Sequence, residues 1–291
     1  MRLLLRGDTC PFDGGRVRVI EDQRTAIAGF SLEAEIGRGA IATVYRSRAP
    51  DGARVALKVL DPKFGAESAM RERFLREARA VARLAHPGVA RIFGAGTADD
   101  GAAYLVMELL AGGALREASR ADASAVRADA WVIGRDVARA LRAAHTEGVI
   151  HRDLKLENVF LVDGGPSRTK LLDFGLASVR GEPGLTATGE LIGTPATMAP
   201  EQIEGSAPTA AIDLYALGCV LFELVEGRPP FQGSAAAVLD CHVSAPAPLL
   251  GDGASDALRS VVASLLSKAP AGRSDGFEAL LSLDEAPKRG A

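Results

Sequence analysis

The order of periodic patterns along the chain limits the folds that it can adopt. Runs typical of β-strands lie before residue 109, at 32–36, 42–47, 54–60, 89–93 and 103–108. Helical spacing of apolar residues appears once before residue 109, at 69–84. After residue 109 it dominates the chain, at 124–147, 210–226, 235–243, 255–267 and 275–283. Strands first and helices afterwards predict an α+β chain with two lobes. We expect a small β-rich lobe at about 29–108 and a larger helical lobe at about 109–286.

Composition excludes several classes of protein. A chain of 291 residues can bury a large core, and 47% hydrophobic with 24% charged residues argue against disorder. The formal net charge of −3 argues against a dedicated nucleic-acid binder, and no apolar run is long enough to cross a bilayer. We therefore expect no nucleic-acid partner and no membrane anchor. Three scattered cysteines do not form a disulfide framework and favour a cytoplasmic location.

The first 28 residues differ from the segment that follows them. Partial alternation at 16–20 and turn-forming residues at 11–15 predict a small hairpin. The sequence around Cys10 also resembles one half of a zinc ribbon. A structural zinc ion needs about four ligands, and no other cysteine or histidine lies nearby. We interpret 1–28 as a short extension, either a hairpin or the remnant of a decayed zinc ribbon, that holds no zinc.

Two ordered motifs carry most of the functional information. Residues 151–158 are HRDLKLEN, which fits the pattern H-R-D-L-x-x-x-N, and residues 173–175 are DFG. Transfer of a phosphoryl group needs an acceptor for the attacking hydroxyl's proton, divalent metals and rigid alignment. Asp153 can accept the proton, and Asn158 and Asp173 can ligate metals. The two motifs in this order indicate phosphoryl transfer far more strongly than a lone DFG tripeptide would.

A glycine-rich turn and a lysine lie upstream. Residues 36–44, IGRGAIATV, stand between two predicted strands, where glycines let backbone amides approach phosphates. Plain hairpins use such turns as well, but the strand-turn-strand setting argues against a dinucleotide-binding fold. A lysine between apolar residues of a strand is usually a solvated edge residue, but residues 55–58, VALK, match the pattern V-A-I-K, whose lysine, here Lys58, reaches phosphates. It needs an acidic partner on the next helix, for which Glu77 is the first candidate and Glu72 the alternative.

These motifs together resemble a eukaryotic-type (Hanks-type) serine/threonine protein kinase, most closely the bacterial branch. The resemblance runs from about residue 30 to 283 and implies the bilobal kinase fold. Residues 193–201, GTPATMAPE, resemble the end of the family's activation segment. Asp213 then corresponds to an aspartate that steadies the catalytic-loop backbone, and Arg273 to an arginine that pairs with Glu201.

The resemblance also implies a site for ATP. Ile36, Val44 and Ala56 would cover the base, with Met107 as gatekeeper and the hinge supplied by the carbonyl of Glu108 and the amide of Leu110. Gly37, Arg38 and Gly39 would lie over the phosphates, and an ion pair between Lys58 and Glu77 would grip them. Asn158 and Asp173 would hold two magnesium ions, for which manganese is a possible substitute.

Further residues carry the expected substrate class and regulation. Lys155 marks serine/threonine specificity in this family and would neutralise the transferred phosphate, and Thr194 would bond to it and to Asp153. Thr186 and Thr188 resemble the autophosphorylated Thr-x-Thr pair of bacterial relatives, with Arg152 as the partner of the phosphate. The implied partners are proteins with Ser/Thr hydroxyls, ATP, and a second copy in a transient homodimer during autophosphorylation.

Two departures from the family pattern are visible. Ala42 replaces the third glycine of the glycine-rich turn, and Thr197 stands where many relatives have an aromatic residue. Neither change removes a catalytic group, so we expect an active, non-specific serine/threonine protein kinase. The alternatives are a pseudokinase scaffold, which usually lacks one of Lys58, Asp153 and Asp173, and a small-molecule phosphotransferase of related fold. The APE segment and the pair Arg152 and Lys155 argue against the second alternative.

Overall fold

The computed structural model describes residues 25–39, 41–65, 68–165, 168–174, 184–185, 191–192 and 195–282. These residues form a sheet-rich lobe followed by a helical lobe, so the predicted α+β, bilobal architecture is confirmed. Residues 1–24 of the extension predicted at 1–28, with Cys10 among them, lie outside the described residues. The same holds for Thr186, Thr188 and Thr194.

The small lobe is built on a six-stranded antiparallel sheet in the order β1-β2-β3-β4-β6-β5. Its strands are β1 (Ala26–Ile27), β2 (Phe30–Arg38), β3 (Ala42–Arg48), β4 (Arg54–Leu60), β5 (Ile92–Thr97) and β6 (Ala103–Glu108). β4 is buried along nearly its whole length because it lies between two partners in the sheet. The sheet begins at Ala26, slightly before the predicted start of the domain at residue 29.

Two helices cross from β4 to β5. They are the short α1 (Pro62–Gly65) and α2 (Ser68–Val81). The buried face of α2 consists of Phe74, Ala78 and Val81, at the helical spacing that the sequence predicted. Phe74 packs with Leu60 and Leu105 in the small lobe's core, which fixes the face that α2 turns to the sheet.

The predicted strand at 89–93 is displaced in the structure. β5 begins only at Ile92, because residues 88–90 bond to the other lobe instead. The Ala90 amide donates to the Leu171 carbonyl at 2.9 Å, and the Leu171 amide donates to the Gly88 carbonyl at 2.8 Å. Periodicity alone did not distinguish these two uses of an extended segment.

A small antiparallel sheet in the order β7-β8-β9 opens the larger lobe. Its strands are β7 (Gly112–Ala114), β8 (Val159–Val162) and β9 (Thr169–Leu171). Gly112 has φ +131°, and a Cβ at this position would lie 2.0 Å from the Leu161 carbonyl oxygen. Only glycine allows the chain to pass from the hinge into this sheet at such close range. A further short pair joins β10 (Gly184–Leu185) to β11 (Leu191–Ile192).

Helices make up the rest of the larger lobe. They are α3 (Leu115–Ala121), α4 (Ala123–Ala128), α5 (Ala130–Thr146), α6 (Pro200–Ile203), α7 (Ala211–Glu226), α8 (Ala235–Ser244), α9 (Asp256–Leu265) and α10 (Ser274–Ser282). α7 is buried on all sides from Ile212 to Val225, as expected for the central helix of a large core. α5 packs closely on it, since a Cβ on Gly134 would lie only 2.7 Å from a Leu221 methyl carbon.

The sequence predicted one helix at 124–147 where the structure has two. Asp122 caps α4 by accepting from the amides of Ser124 and Ala125, so the helix starts one residue early. Asp129 adopts φ −94° and ψ 2°, which interrupts the helical geometry between α4 and α5. α3 was not predicted, because its burial depends on contacts that are distant in sequence. Within the described part of the chain, no helix has the length and apolarity needed to cross a membrane.

Candidate active site

A cavity of about 670 Å³ separates the two lobes. Its size lies within the range of small-molecule sites. Most of the predicted site residues line it, namely Ile36, Gly37, Arg38, Gly39, Val44, Ala56, Lys58, Met107, Glu108, Leu110, Asp153, Lys155, Asn158 and Asp173. Its lining does not include two predicted residues, Glu77 and Arg152. The fold therefore brings together residues from β2, β3, β4, β6 and the 151–158 loop.

The catalytic loop is anchored from below by Asp213 on α7. One carboxylate oxygen accepts from the Arg152 amide at 2.8 Å, and the other accepts from the His151 amide at 2.8 Å. The His145 ring Nε2 lies 2.8 Å from the same carboxylate. Arg152 has φ +67°, an unfavourable conformation for a residue with a side chain, and these bonds hold it there. The contacts of Asp213 are therefore those expected of a residue that steadies the catalytic-loop backbone.

His151 is a packing residue. It is fully buried, its Nε2 lies 2.9 Å from the Leu172 carbonyl oxygen, and its ring lies 4.6 Å from that of Phe174. These contacts join the catalytic loop to the DFG motif. A second link is the hydrogen bond from the Leu172 amide to the Asn158 carbonyl, at 2.9 Å.

Polar groups converge on the carboxylate of Asp153. Lys155 Nζ lies 2.6 Å from Asp153 Oδ2, and Asn158 Nδ2 donates to the Asp153 backbone oxygen at 2.7 Å and to Oδ2 at 3.2 Å. The Asp153 and Lys155 side chains are 18% and 24% exposed, so both reach the cavity. The cluster presents one carboxylate, one ammonium and one amide to whatever enters from the open side.

Lys58 reaches across the cavity to the DFG aspartate. Its Nζ lies 2.7 Å from Asp173 Oδ1, and its side chain is only 8% exposed. Loss of surrounding water would raise the pKa of Asp173, but the Lys58 ammonium, helped by His151 and Lys155, holds that pKa below its usual value. Asp173 is therefore ionised at neutral pH.

The contact that the structure shows for Lys58 is with Asp173, 2.7 Å away, and the predicted ion pair with Glu77 stays a prediction. Burial raises the pKa of the Glu77 carboxyl to about 7, and the charges that oppose this shift are those of Arg152, Arg76 and Arg73. Glu77 is therefore half-buried on α2 among positive charges, while Lys58 pairs with Asp173. The sequence identified both acidic residues but not which of them lies nearer to the lysine.

The hinge side of the cavity is largely apolar and includes an ion pair between Glu108 and Lys170. Glu108 at the end of β6 accepts from the Arg91 amide at 2.7 Å and from Lys170 Nζ at 2.5 Å. These bonds tie the hinge to both lobes, because Arg91 precedes β5 and Lys170 belongs to β9. In the glycine-rich turn, the Gly39 amide donates to the Ala42 carbonyl at 2.9 Å. Arg38 pairs with Glu35 on the exposed side.

A buried ion pair supports the lobe beneath the site. Arg273 is fully buried and binds Glu201 through both terminal nitrogens, at 2.5 and 2.9 Å. It also donates to the carbonyls of Ser267, Ala211 and Lys268. The predicted pair of Arg273 and Glu201 is confirmed.

Some lining residues were not predicted. Glu157 belongs to the catalytic-loop motif, but the sequence assigned no role to it. Glu117 on α3, with Leu171 and Phe160 from the small sheet, also lines the cavity. Their signal was absent because α3 and this sheet were not predicted. The conformations of Thr186 and Thr188 lie outside the described residues.

Comparisons with known proteins agree with this geometry. A sequence profile for the protein kinase domain matches residues 30–282. The serine/threonine-protein kinase PknJ of Mycobacterium tuberculosis is 39% identical over 255 residues, which cover 84% of this chain and 43% of that protein. The serine/threonine-protein kinase PkaA of Streptomyces coelicolor is 40% identical over 230 residues, covering 74% of this chain and 42% of that protein. The chain thus spans about two fifths of the length of these curated relatives.

A solved structure is also similar. The crystal structure of a variant of the Mycobacterium tuberculosis PknI kinase domain superposes with a TM-score of 0.68 at 29% sequence identity. The superposition covers 88% of this chain and 95% of that domain.

Proposed function

This chain belongs to the protein kinase family, and from that premise we propose that it transfers the γ-phosphoryl group of ATP to serine and threonine hydroxyls of proteins. One observation carries the proposal. Lys58, Asp153, Lys155, Asn158 and Asp173, which come from distant parts of the chain, line a single cavity between the lobes. Positioning and electrostatic stabilisation are what phosphoryl transfer requires of a protein.

Each end of the cavity suits a different part of ATP. The apolar end, formed by Ile36, Val44, Ala56 and Met107, suits an adenine ring. The polar end contains the Lys58 ammonium, which suits phosphate oxygens. The volume of about 670 Å³ is sufficient for a nucleotide.

The acidic and amide groups suit a divalent cation. Magnesium usually takes one or two protein ligands and completes its shell with phosphate oxygens and water. Asp173, whose pKa is held low, and Asn158 would be these ligands. The bound cation would neutralise charge on the phosphates. Hard oxygen ligands also accept manganese, so we propose magnesium as the working ion and manganese as a substitute.

Asp153 would accept the proton of the acceptor hydroxyl. Its carboxylate is held by Asn158 and lies 2.6 Å from Lys155 Nζ, which would carry positive charge next to the transferred group. The backbone beneath it is fixed by Asp213. This arrangement orients the base before any substrate binds, which lowers the entropic part of the barrier.

A labelling experiment tests the proposal. The purified chain is incubated with a mixture of acidic and basic proteins and ATP labelled at the γ-phosphate, with ATP labelled at the α-phosphate as the matched control. We expect label only from γ-labelled ATP, on serine and threonine after acid hydrolysis. Absence of label with both nucleotides would favour the pseudokinase scaffold. Label confined to small molecules would favour the other alternative.

We propose in addition that Thr186 or Thr188, or both, are autophosphorylated within a transient homodimer. A phosphothreonine carries about −1.5 to −2 charges at neutral pH and binds arginine strongly. Arg152 adjoins Asp153, so pairing with Arg152 would order the activation segment and the base together. Replacing both threonines by alanine should lower the transfer rate to that of phosphatase-treated protein. Full activity of the double variant, with both threonines unmodified in the parent, would refute this regulation.

A cytoplasmic location stays a prediction. It is supported by Cys219 and Cys241, which are free thiols, as expected in a reducing compartment. Fractionation of the source cells would test it.

A further inference from the structure

Arg116, in the first turn of α3, lies between two carboxylates from distant parts of the chain. Its Nε donates to Glu157 Oε1 at 2.8 Å, and its Nη1 donates to Glu223 Oε1 at 2.5 Å. Nη2 lies 3.4 Å from the other oxygen of Glu223. The three residues form what we call the acidic clamp, two carboxylates closed on one guanidinium.

The acidic clamp adjoins the place where a substrate must bind. Glu157 lies four residues after Asp153 and next to Asn158, and its side chain lines the cavity with both of them. The Glu157 side chain is 45% exposed, whereas Glu223 is 11% exposed. One carboxylate therefore lines the cavity with nearly half of its side chain exposed, and the second is nearly buried and is joined to the first through Arg116.

Two such carboxylates would ordinarily select a basic substrate. An arginine placed between them can form several charge-assisted hydrogen bonds at once, and a peptide that carries one near its acceptor residue would gain affinity. In this protein the guanidinium comes from the chain itself. Arg116 cannot lose its proton, so the position that a substrate arginine would take is filled by a permanent cation.

The internal cation is well held. Burial would lower the pKa of Arg116, but its bonds to Glu223 and Glu157 raise that pKa above the usual value. The Arg116 side chain is only 23% exposed. A competing cation therefore has little open surface through which to reach the two carboxylates. A substrate arginine would have to displace Arg116, leaving one cation without its carboxylates.

We propose that Arg116 determines substrate specificity by closing the acidic clamp to basic side chains, so that the protein does not select substrates with arginine or lysine beside the acceptor hydroxyl. The inference rests on the proposed protein kinase activity. A purely structural alternative is that Arg116 only ties α3 to the catalytic loop and α7. In that case its removal would affect all peptides equally.

The test compares Arg116→Met with the parent on a set of peptides. Each peptide has one serine flanked by alanines and a single arginine at one of the positions close to the serine, and an all-alanine peptide is the reference. For the parent we expect kcat/KM ratios to the reference within about twofold at every position, as for weak exposed charge interactions. In Arg116→Met the ratio should rise about tenfold at one position, where the freed carboxylates reach the arginine.

Matched variants separate specificity from stability. The double variant with Arg116→Met and Glu157→Gln should lose most of the gain, because one carboxylate of the clamp is neutral. Arg259→Met, which removes an exposed pair with Asp256, should leave the ratios unchanged. If thermal unfolding shows that Arg116→Met and the parent are both folded, equal kcat/KM ratios in the two proteins would overturn the proposal. If Arg116→Met does not fold, Arg116→Gln takes its place, because glutamine keeps hydrogen-bond donors without the charge. Its kcat/KM ratio for the arginine peptide should rise at the same position, by a smaller factor.

The binding of fluorescently labelled peptides decides the case independently of catalysis. Arg116→Met should bind the best arginine peptide about tenfold more tightly than the parent does, with the gain lost at high salt. Equal binding would refute the role of Arg116. A parent that transfers no phosphate to any peptide, while this binding difference is present, would instead refute the proposed function and leave the clamp intact.

Discussion

The two walls of the cavity are held in different ways. On the larger lobe, Asp213 bonds to two backbone amides of the catalytic loop, and Arg273 binds Glu201 while fully buried. On the wall formed by β4 and α2, the Lys58 ammonium is held by the aspartate of the DFG motif. Glu77, its expected partner, is half-buried, and burial raises the pKa of its carboxyl to about 7.

The difference shows which part of the site depends on local sequence and which on the placement of whole elements. The larger lobe uses buried carboxylates whose partners are backbone groups or a bidentate arginine, and such bonds are costly to break. At the lobe interface, by contrast, Lys58 is paired with Asp173, whose side chain is 34% exposed. We therefore expect substitutions in the first region to lower stability strongly and those in the second region to act mainly on ligand binding or on pH dependence.

The largest loss of stability is expected for Arg273→Met. The variant keeps most of the side-chain volume but leaves the nearly buried Glu201 carboxylate and three carbonyls without their donor. Removing one partner of a buried pair costs about 3–5 kcal/mol of unfolding free energy. Urea unfolding measures this, with Arg142→Met as the control. Arg142 pairs with Glu278 where both side chains are more than half exposed, and we expect a loss below about 1 kcal/mol. If the two variants lose similar amounts of unfolding free energy, the buried pair is no more stabilising than the exposed one and the prediction is wrong.

A smaller loss is expected for Asp213→Asn. The amide matches the shape of the carboxylate but turns a donor towards a backbone donor of His151 or Arg152, which costs about 2 kcal/mol. Displacement of the catalytic loop should also lower the transfer rate about a hundredfold. Asp240→Asn on the exposed face of α8 is the control and should change neither quantity. A fully active Asp213→Asn variant would show that the anchor on α7 is not needed.

The lobe interface should show itself in the pH dependence of stability. The pKa of Glu77 is raised from 4.5 to about 7 in the folded protein, so folding favours the protonated carboxyl. This contribution is present below pH 4.5 and is lost as the pH rises towards 7. Glu77→Gln lacks it and should gain stability relative to the parent across this window, by about 1–2 kcal/mol after allowance for solvent screening.

Urea unfolding at a series of pH values from 4.5 to 8 measures this difference. Glu72→Gln on the exposed face of the same helix is the matched control for the loss of one carboxylate. If the offset of Glu77→Gln from the parent is the same at every pH, burial does not raise the pKa of this carboxyl and the prediction fails.

Sequence patterns predicted the parts of the molecule that depend on neighbours along the chain. The 151–158 loop and the DFG motif are contiguous, so their residue types alone indicated Asp153, Asn158 and Asp173. Family resemblance extended this to Asp213 and to the pair of Arg273 and Glu201. The two lobes followed from the change of periodicity near residue 109.

The features that were missed depend on how distant elements pack. Lys58 is paired with Asp173, a residue distant in sequence, and no spacing within 69–84 reveals this. Arg116 contacts Glu157 and Glu223 at separations of 41 and 107 residues, and the helix that carries it was not predicted. The break at Asp129 is a matter of one residue's dihedral angles within an otherwise helical pattern.

The central claim is that Asp153 acts on the acceptor hydroxyl while the opposite wall holds the nucleotide. The most direct test measures phosphoryl transfer and ATP affinity in Asp153→Asn and Asp173→Asn beside the parent, at saturating magnesium. We expect Asp153→Asn to lower transfer at least about a hundredfold, as for loss of a general base, with ATP affinity nearly unchanged. Asp173→Asn should weaken both, because it removes the proposed metal ligand and the partner of Lys58. Transfer at the parent rate in both variants would contradict the assignment of this site.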